Sequence, residues 1–369
     1  MIWSIFVFFL VLSLLVIVHE FGHYIVAKKN GVWVEEFGFG LPPRVFGKKI
    51  GETIYSLNLL PFGGFVRLHG EMTDDGVTKK NRAFLNKSLW VKTGVIVAGV
   101  IMNFLLAIVA FAIVYSHSGL PREKGYVEIV GIVPDSPSAN TQIIVGQKLF
   151  SIDGKAVTKR DEVTEISSKG GKHVLVVGAV DAKKEDQKKI TVDTKFDEED
   201  QKWYMGVMLT SKETYFPPVW QRPIYGAYYG FKESLTWSKT VVTGLGSSFS
   251  SLFKGDVPKD VSGPVGVYAV VSEVSQKGTL WDLINLIGII SVNLAVLNIL
   301  PFPALDGGRL VFIVVEAIFG RKVAPKVESV IHTIGMAILL ILILGITIHD
   351  IKGLISAGSI SGFLDNMVK

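Results

Sequence analysis

Cysteine is absent from all 369 residues. That excludes a disulfide scaffold and thiolate metal ligands, and it leaves His, Asp and Glu as the side chains able to hold a metal. Charge is also sparse: Asp, Glu, Lys and Arg make up 19% of the chain against 49% hydrophobic residues, and the mean hydropathy is positive. Such an apolar excess does not suit a soluble protein unless it is gathered into long runs. It is gathered so. No Lys or Arg precedes Lys28, and the run 2–27 is long enough, at about 1.5 Å of rise per residue, to cross about 30 Å of hydrocarbon. The lack of a charged stretch before the run, with Glu20 inside it, argues against a cleaved secretory signal. Three more runs, 93–115, 283–300 and about 333–348, bring the expected spans to four.

The net charge of +5 is concentrated in loops beside the apolar runs, where it sets orientation, so no nucleic-acid partner is expected. Lys28, Lys29, Arg44, Lys48, Lys49, Arg67, Lys79, Lys80, Arg82, Lys87 and Lys92 lie between the first two runs. Arg309, Arg321, Lys322 and Lys326 lie between the last two. Both loops are therefore read as cytoplasmic, with the N-terminus, the 116–282 segment and the C-terminus outside.

Within the first loop, 28–92, the apolar stretch 54–68 is broken by Pro61 and Gly63-Gly64 and reads as a β-hairpin. Beside a membrane such a hairpin has to be buried in protein or line a cavity. Residues 119–210 are charged and β-patterned, with turn signals at Pro134-Asp135-Ser136-Pro137 and Asp153-Gly154, which predicts a soluble β-rich domain of about 90 residues. The stretch 216–282 carries Trp220, Tyr225, Tyr228, Tyr229, Phe231 and Trp237 among charges and is expected to form an amphipathic helix on the outer interface, followed by a linker. Residues 309–332 are expected as a loop and 350–369 as a tail.

The chemistry begins at His19-Glu20-Phe21-Gly22-His23. Histidines at i and i+4 lie one helical turn apart and can share a metal ion, and the Glu between them can serve as general base toward water. Polar residues at membrane depth are expensive unless they serve a site. Catalytic zinc usually takes three protein ligands, and Asp306 is the best candidate for the third. It closes Asn298-Ile299-Leu300-Pro301-Phe302-Pro303-Ala304-Leu305-Asp306 and is followed by Gly307-Gly308; the prolines end a helix and the glycines admit close backbone approach. His332 and His349 are rivals read as interfacial residues, and His69, His117 and His173 receive no metal role. Asn298 has two readings, a hydrogen-bond donor to a developing oxyanion or a polar packing contact. Asn103 and Asn293 are read as packing residues.

Depth adds a constraint. His19 lies toward the cytoplasmic end of the first span and Asp306 just past the third, so both reach one ion only if these spans run in the same direction. One crossing, 93–115, lies between them, so 216–256 should not cross.

Together these residues resemble the site-2 protease family of intramembrane zinc metalloproteases, in particular the bacterial regulator-of-sigma-E-protease type. Further resemblance is carried by Phe37-Gly38-Phe39-Gly40, Pro61-Phe62-Gly63-Gly64-Phe65-Val66, Asn103-Phe104 and Ser262-Gly263-Pro264-Val265-Gly266. Residues 119–209 are similar to a PDZ domain through Val130-Gly131-Ile132-Val133-Pro134-Asp135-Ser136-Pro137 and Ile152-Asp153-Gly154-Lys155. The resemblance implies a polytopic α-helical inner-membrane protein of four spans, with a membrane-associated hairpin and an inserted PDZ-like domain. It implies Zn2+ on His19, His23 and Asp306, Glu20 as general base, and Asn298 on the substrate carbonyl. It also implies pairing of the hairpin, at Gly63, Gly64 and Phe65, with an unwound substrate strand. Single-span membrane proteins of the anti-sigma-factor or remnant-signal-peptide type are the implied substrates, with lipid as the surrounding partner and a stress response as the setting. Thr141-Gln142-Ile143 and Gly146-Gln147 depart from the usual PDZ pattern and favour a gate over carboxylate binding. Gly99-Val100 stands where Gly-Pro is usual, implying a straighter second span. The rival readings are a catalytically silent PDZ-bearing adaptor with a vestigial zinc site and a metal transporter, which the lack of an internal repeat disfavours.

Overall fold

The computed structural model describes residues 2–71, 77–197, 202–254, 263–320 and 323–368; Ser262, Arg321, Lys322 and Lys369 lie outside the described residues. The chain divides into two compact units, Met1–His117 with Pro223–Lys369, and Ser118–Arg222.

The first unit opens with α1 (Ile2–Lys29), which no proline interrupts, and continues through β1 (Val34–Ile50), β2 (Thr53–Leu68) and α2 (Leu89–Ser118). The expected hairpin within 54–68 is corrected here. The chain of β2 does reverse between its two limbs, but the limbs do not pair with each other; their partner is β1, joined by the Gly51-Glu52 turn, with Ile50 opposite Thr53 and Phe46 opposite Leu57. The upstream limb of β1 is paired on both sides. Gly38 faces Phe65 and also Ser56, and Phe39 faces Gly64 and also Leu57. Residues 36–39 thus lie between the two limbs of β2, and Pro61 to Gly64 mark the passage between those limbs. The reason is chain length: a span of 15 residues broken by proline closes fewer ladder bonds than the same residues wrapped around a 17-residue partner.

The second unit holds β3 (Leu120–Ile132), β4 (Lys148–Ile152), β5 (Lys155–Ala156), α3 (Arg160–Ser167), β6 (Lys172–Gly178), β7 (Lys188–Asp193), β8 (Lys195–Asp197), β9 (Lys202–Tyr204) and β10 (Val207–Tyr215). Its main sheet has the order β10-β3-β4-β6-β7, with β5 paired to β4. Val127 and Ile129, and Leu175 and Val177, alternate inward along their strands and fill one core with Leu149 and Ile152, which lie on either side of an irregularity in β4. This is the β-rich domain expected between the second and third apolar runs.

The first unit resumes with α4 (Arg222–Lys254), α5 (Pro264–Lys277), α6 (Leu280–Ile299), α7 (Asp306–Phe319), α8 (Pro325–Ala357) and α9 (Ile360–Val368). Among the described residues, four helices are long and apolar enough to cross a membrane: α1, α2, α6 and α8. The protein is a membrane protein with a β-rich domain. Three expectations change at the segment ends. The third apolar run stops at Ile299, and Asp306 begins a separate helix. In place of the loop expected over 309–332, the described residues 309–319 belong to α7 and 325–332 to the first turns of α8. The tail is helical through α8 and α9. The amphipathic α4 packs along α2. An added Cβ at Gly226 would meet the Ala112 carbonyl at 2.6 Å, one at Gly230 the Ile108 carbonyl at 2.6 Å, and Phe231 is edge-on to Phe104. Small residues admit such approach where no hydrophobic force drives helix association.

Three clusters bind the helices. Val7, Val11 and Leu15 of α1 meet Val271 of α5; Ala107 and Phe111 of α2 meet Val292 and Val296 of α6; Ala27, Val34, Leu68, Val95 and Ile313 join α1, the strands, α2 and α7. Asp350 of α8, 2% exposed, accepts the backbone N–H groups of Gly263 and Gly266, each at 3.0 Å, and so satisfies the open N-terminus of α5.

The β1–β2 turn is clamped from outside. Glu52 takes Arg82 in a two-bond fork at 2.5 Å each and Lys28 at 3.4 Å. The Arg82 guanidinium, aided by Lys28 against partial burial, lowers the Glu52 carboxyl from its ordinary 4.5 to about 2. Because the folded value lies below the unfolded one, this clamp is whole above pH 4.5 and is lost as pH falls toward 2. Hydrogen exchange should therefore show the β1 and β2 amides near the turn opening several-fold faster below pH 4, and Glu52→Gln should produce the same increase at pH 7; the pair is partly exposed and screened, so larger effects are not expected.

Candidate metal centre

Helix α1 places His19 and His23 on one face, one turn apart, with ring centroids 4.7 Å apart. Their Nε2 atoms are 3.1 Å apart. Asp306 completes a triangle: its Oδ2 is 3.0 Å from His19 Nε2 and 3.2 Å from His23 Nε2. The structure thus brings the three sequence-predicted ligands together across more than 280 positions of chain. His332 and His349 do not join them. His349 stays exposed, while the Nδ1 of His332 accepts the Ala304 N–H at 3.0 Å.

Asp306 arrives by a tight backbone path. After α6 ends, residues 300–305 turn, with Ala304 at φ 84°, and α7 starts at Asp306 itself. A Cβ on Gly307 would lie 2.1 Å from the Leu300 carbonyl oxygen and one on Gly308 2.4 Å from that of Phe302, so only glycine lets the turn close. Gly335 lets α8 press on Pro303, where a Cβ would meet the Pro303 ring at 2.3 Å. The Arg309 guanidinium, one turn beyond Asp306, pairs with Glu71, whose other oxygen accepts the Leu68 N–H at 3.2 Å. That pair links the helix bearing Asp306 to the end of β2.

The second helix supplies the backing. His23 Nδ1 donates to the Val95 carbonyl at 2.8 Å, so the neutral ring carries its lone pair on Nε2. Four residues on, Gly99 faces both rings: a Cβ there would sit 2.5 Å from His23 Nε2 and 2.7 Å from His19 Cε1. Another four residues on, the buried Asn103 lies against His19, its Nδ2 3.4 Å from His19 Nδ1. Gly22 in turn touches the Ala98 carbonyl. Val95, Gly99 and Asn103 were not singled out as site residues in the sequence. The readable signal is their i, i+4, i+8 stripe on an apolar helix, matching the i, i+4 histidines of its antiparallel neighbour.

A cavity of about 430 Å³ opens on the centre, lined by His19, Glu20, His23, Phe65, Asp306 and Arg309 among others. A second, of about 250 Å³, is lined by Glu20, Asn103, Asn298 and Asp306. Gly64 abuts Glu20, since a Cβ there would lie 3.7 Å from Glu20 Cγ. Gly63, at φ 81°, faces Leu41 on β1 and stands one residue further off. The remaining histidines are accounted for elsewhere: His69 pairs with Glu35 at 2.6 Å, His117 stacks on Trp281 at 3.7 Å, and His173 pairs with Asp153 at 2.6 Å.

The trio fits a zinc ion. Tetrahedral ligands on bonds of about 2.0 Å lie about 3.3 Å from one another, close to the observed 3.0, 3.1 and 3.2 Å edges. Buried Asp306 Oδ2 has no hydrogen-bond partner, and His23 presents a lone pair to it. Two imidazole lone pairs and a carboxylate at this distance repel unless a metal ion or a proton lies among them, and a zinc ion suits all three.

Comparison with known proteins agrees. The sequence matches the profile of "Peptidase family M50" over residues 7–342. A protein of Clostridium acetobutylicum named "Putative zinc metalloprotease" is 33% identical over 350 residues, covering 93% of this chain and 95% of its own length. "Zinc metalloprotease RasP" of Geobacillus kaustophilus is 28% identical over 426 aligned positions, covering 95% of this chain and 98% of its own length.

The close approach of α2 generates a test. Gly99→Ala sets a methyl group into both imidazoles, and such overpacking costs about 1–3 kcal/mol. Zinc content measured by elemental analysis after dialysis against a weak chelator should fall well below that of the wild type, while Gly94→Ala, whose Cβ meets only Val26 at 3.8 Å, should leave it unchanged.

Proposed function

The chain belongs to peptidase family M50, the site-2 protease family, and is a zinc metalloprotease; from that premise we propose that it cuts single-span membrane proteins within or beside the membrane. The observation that carries this reading is the position of the site. Glu20 and the His19, His23, Asp306 trio share a cavity walled by helices apolar enough to lie in lipid. A peptide bond brought there would have to come from a membrane segment.

His19, His23 and Asp306 would hold the zinc, which when bound supplies Lewis acidity toward a peptide carbonyl and toward water. Glu20 then takes a proton from the attacking water as the C–O bond forms, and returns it to the leaving amide nitrogen as the C–N bond breaks. The Asn298 side-chain amide, lining the cavity beside His19 and Glu20, donates a hydrogen bond to the carbonyl oxygen as charge gathers on it.

Peptide bonds in a helix are shielded by their own hydrogen bonds, so the substrate has to unwind. The limb of β2 holding Gly63, Gly64 and Phe65 offers a compensating partner. Its inner side is taken by residues 36–39, and Gly64 on that limb lies next to Glu20. A substrate strand added to this edge would recover the backbone hydrogen bonds it gave up. Leu41, Val45, Phe46, Ile50, Leu57, Leu59 and Leu60 of the two strands are exposed, as lipid contact requires. The β-rich unit, read as PDZ-like, would lie outside the cell's inner membrane with both termini and restrict access by size, which suits substrates already shortened on that side. Anti-sigma factors and remnant signal peptides have this form.

Glu20→Gln should lower cleavage of a model transmembrane substrate by about 10²–10⁴-fold with zinc content unchanged; full turnover by that variant would sink the assignment. Replacing a leucine near the scissile bond with a helix-destabilising residue such as glycine should raise the rate, whereas proline at positions that pair with the β2 edge should lower it.

A further inference from the structure

The three ligands leave one requirement open, and it is met on α2. A histidine that ligates through Nε2 carries its proton on Nδ1 and needs an acceptor for it, or its ring turns and its tautomer is unset. For His23 that acceptor is the Val95 carbonyl at 2.8 Å. For His19 the group against Nδ1 is the amide of Asn103, 3.4 Å away at Nδ2. Asn103 has no exposed surface, and its Oδ1 is buried without a hydrogen-bond partner. Two N–H donors cannot bond to each other. A half-turn about the Cβ–Cγ bond exchanges the two ends of the amide, so that the orphaned oxygen receives the His19 Nδ1 proton.

We infer that Asn103 is a positioning residue of the metal centre: its side-chain carbonyl accepts the His19 Nδ1–H and so fixes the tautomer and ring plane of the first ligand. This rests on the zinc reading above. The residue is itself held from a third helix, because Ser291 on α6, also without exposed surface, donates its hydroxyl to the Asn103 backbone carbonyl at 2.8 Å. The order Ser291, Asn103, His19 therefore links α6, which leads to Asp306, with α1, which bears the histidines. Spacing supports the assignment. Val95, Gly99 and Asn103 follow at intervals of four, so one face of α2 offers an acceptor to His23, clearance to both rings, and an acceptor to His19. A packing role alone would ask only for a side chain of suitable volume.

The test compares Asn103→Asp, which keeps an acceptor, with Asn103→Leu, which keeps the branched shape and removes it. The full chain, purified in detergent, is titrated against a chromogenic chelator for zinc affinity, and the visible spectrum of the Co2+-substituted protein reports ligand geometry. Asn103→Leu is expected to bind zinc about 10–100-fold more weakly with altered Co2+ bands, and Asn103→Asp to retain most of the affinity and the spectrum. Leucine matching the wild type on both readouts would overturn the inference, and so would aspartate failing as badly as leucine, since then only shape matters. If circular dichroism shows that the leucine variant does not fold, Asn103→Ala replaces it with the same two outcomes. A wild type that binds no zinc would instead refute the metal centre itself.

Discussion

Three acceptor groups held within 3.2 Å of one another inside an apolar bundle form the constraint on which the rest of this structure depends. Two imidazoles and a carboxylate at such depth are expensive to bury and repel one another without a cation. Everything nearby serves to keep them there. The helix α1 contributes only a spacing. The depth, the approach and the orientation come from other elements.

Much of that work falls to glycine and to backbone carbonyls rather than to large side chains. Gly22 and Gly99 let α1 and α2 meet nearly backbone to backbone, and Gly307 and Gly308 let the turn before α7 fold onto itself. Where lipid surrounds the bundle, helix association draws on packing and on hydrogen bonds between helices. The close approach therefore has two effects: it adds contact area, and it brings the Val95 carbonyl and the Asn103 amide within reach of the imidazoles. Distant ion pairs continue the same pattern. Lys92 of α2 meets Glu316 of α7 at 2.5 Å, and Glu71 beyond β2 meets Arg309 of α7. The helix that carries Asp306 is thereby tied to the helix that backs the histidines and to the strand beside Glu20.

The β-strands solve a separate problem. Under the proposed function the substrate arrives with its backbone already hydrogen-bonded, and a strand edge next to Glu20 would offer an exchange of partners at little net cost. The double pairing of residues 36–39 stiffens that edge, and the Glu52 clamp to Arg82 and Lys28 anchors its far turn.

How much of this was legible in the sequence follows from the range of each interaction. Histidines four apart with Glu20 between them are a local pattern, and so are the apolar runs and the proline and glycine signals around Asp306; period, length and turn chemistry carry them without knowledge of the fold. The sequence also carries an expectation for the parity of the crossings, because a shared ion requires two spans to run in the same direction. The partner of β2, the start of a new helix at Asp306, the packing of α4 on α2 and the seat of Asn103 against His19 were not legible. Each rests on a pairing between distant segments. Asn103 is 84 residues from His19 and 188 from Ser291, and an asparagine in an apolar run reads the same whether it packs or positions a ligand. The sequence by itself determined which groups could bind zinc. Only the tertiary structure decided what holds them in place, because the orientation of an imidazole is set by the group that receives its second proton, and that group is chosen by which helices touch.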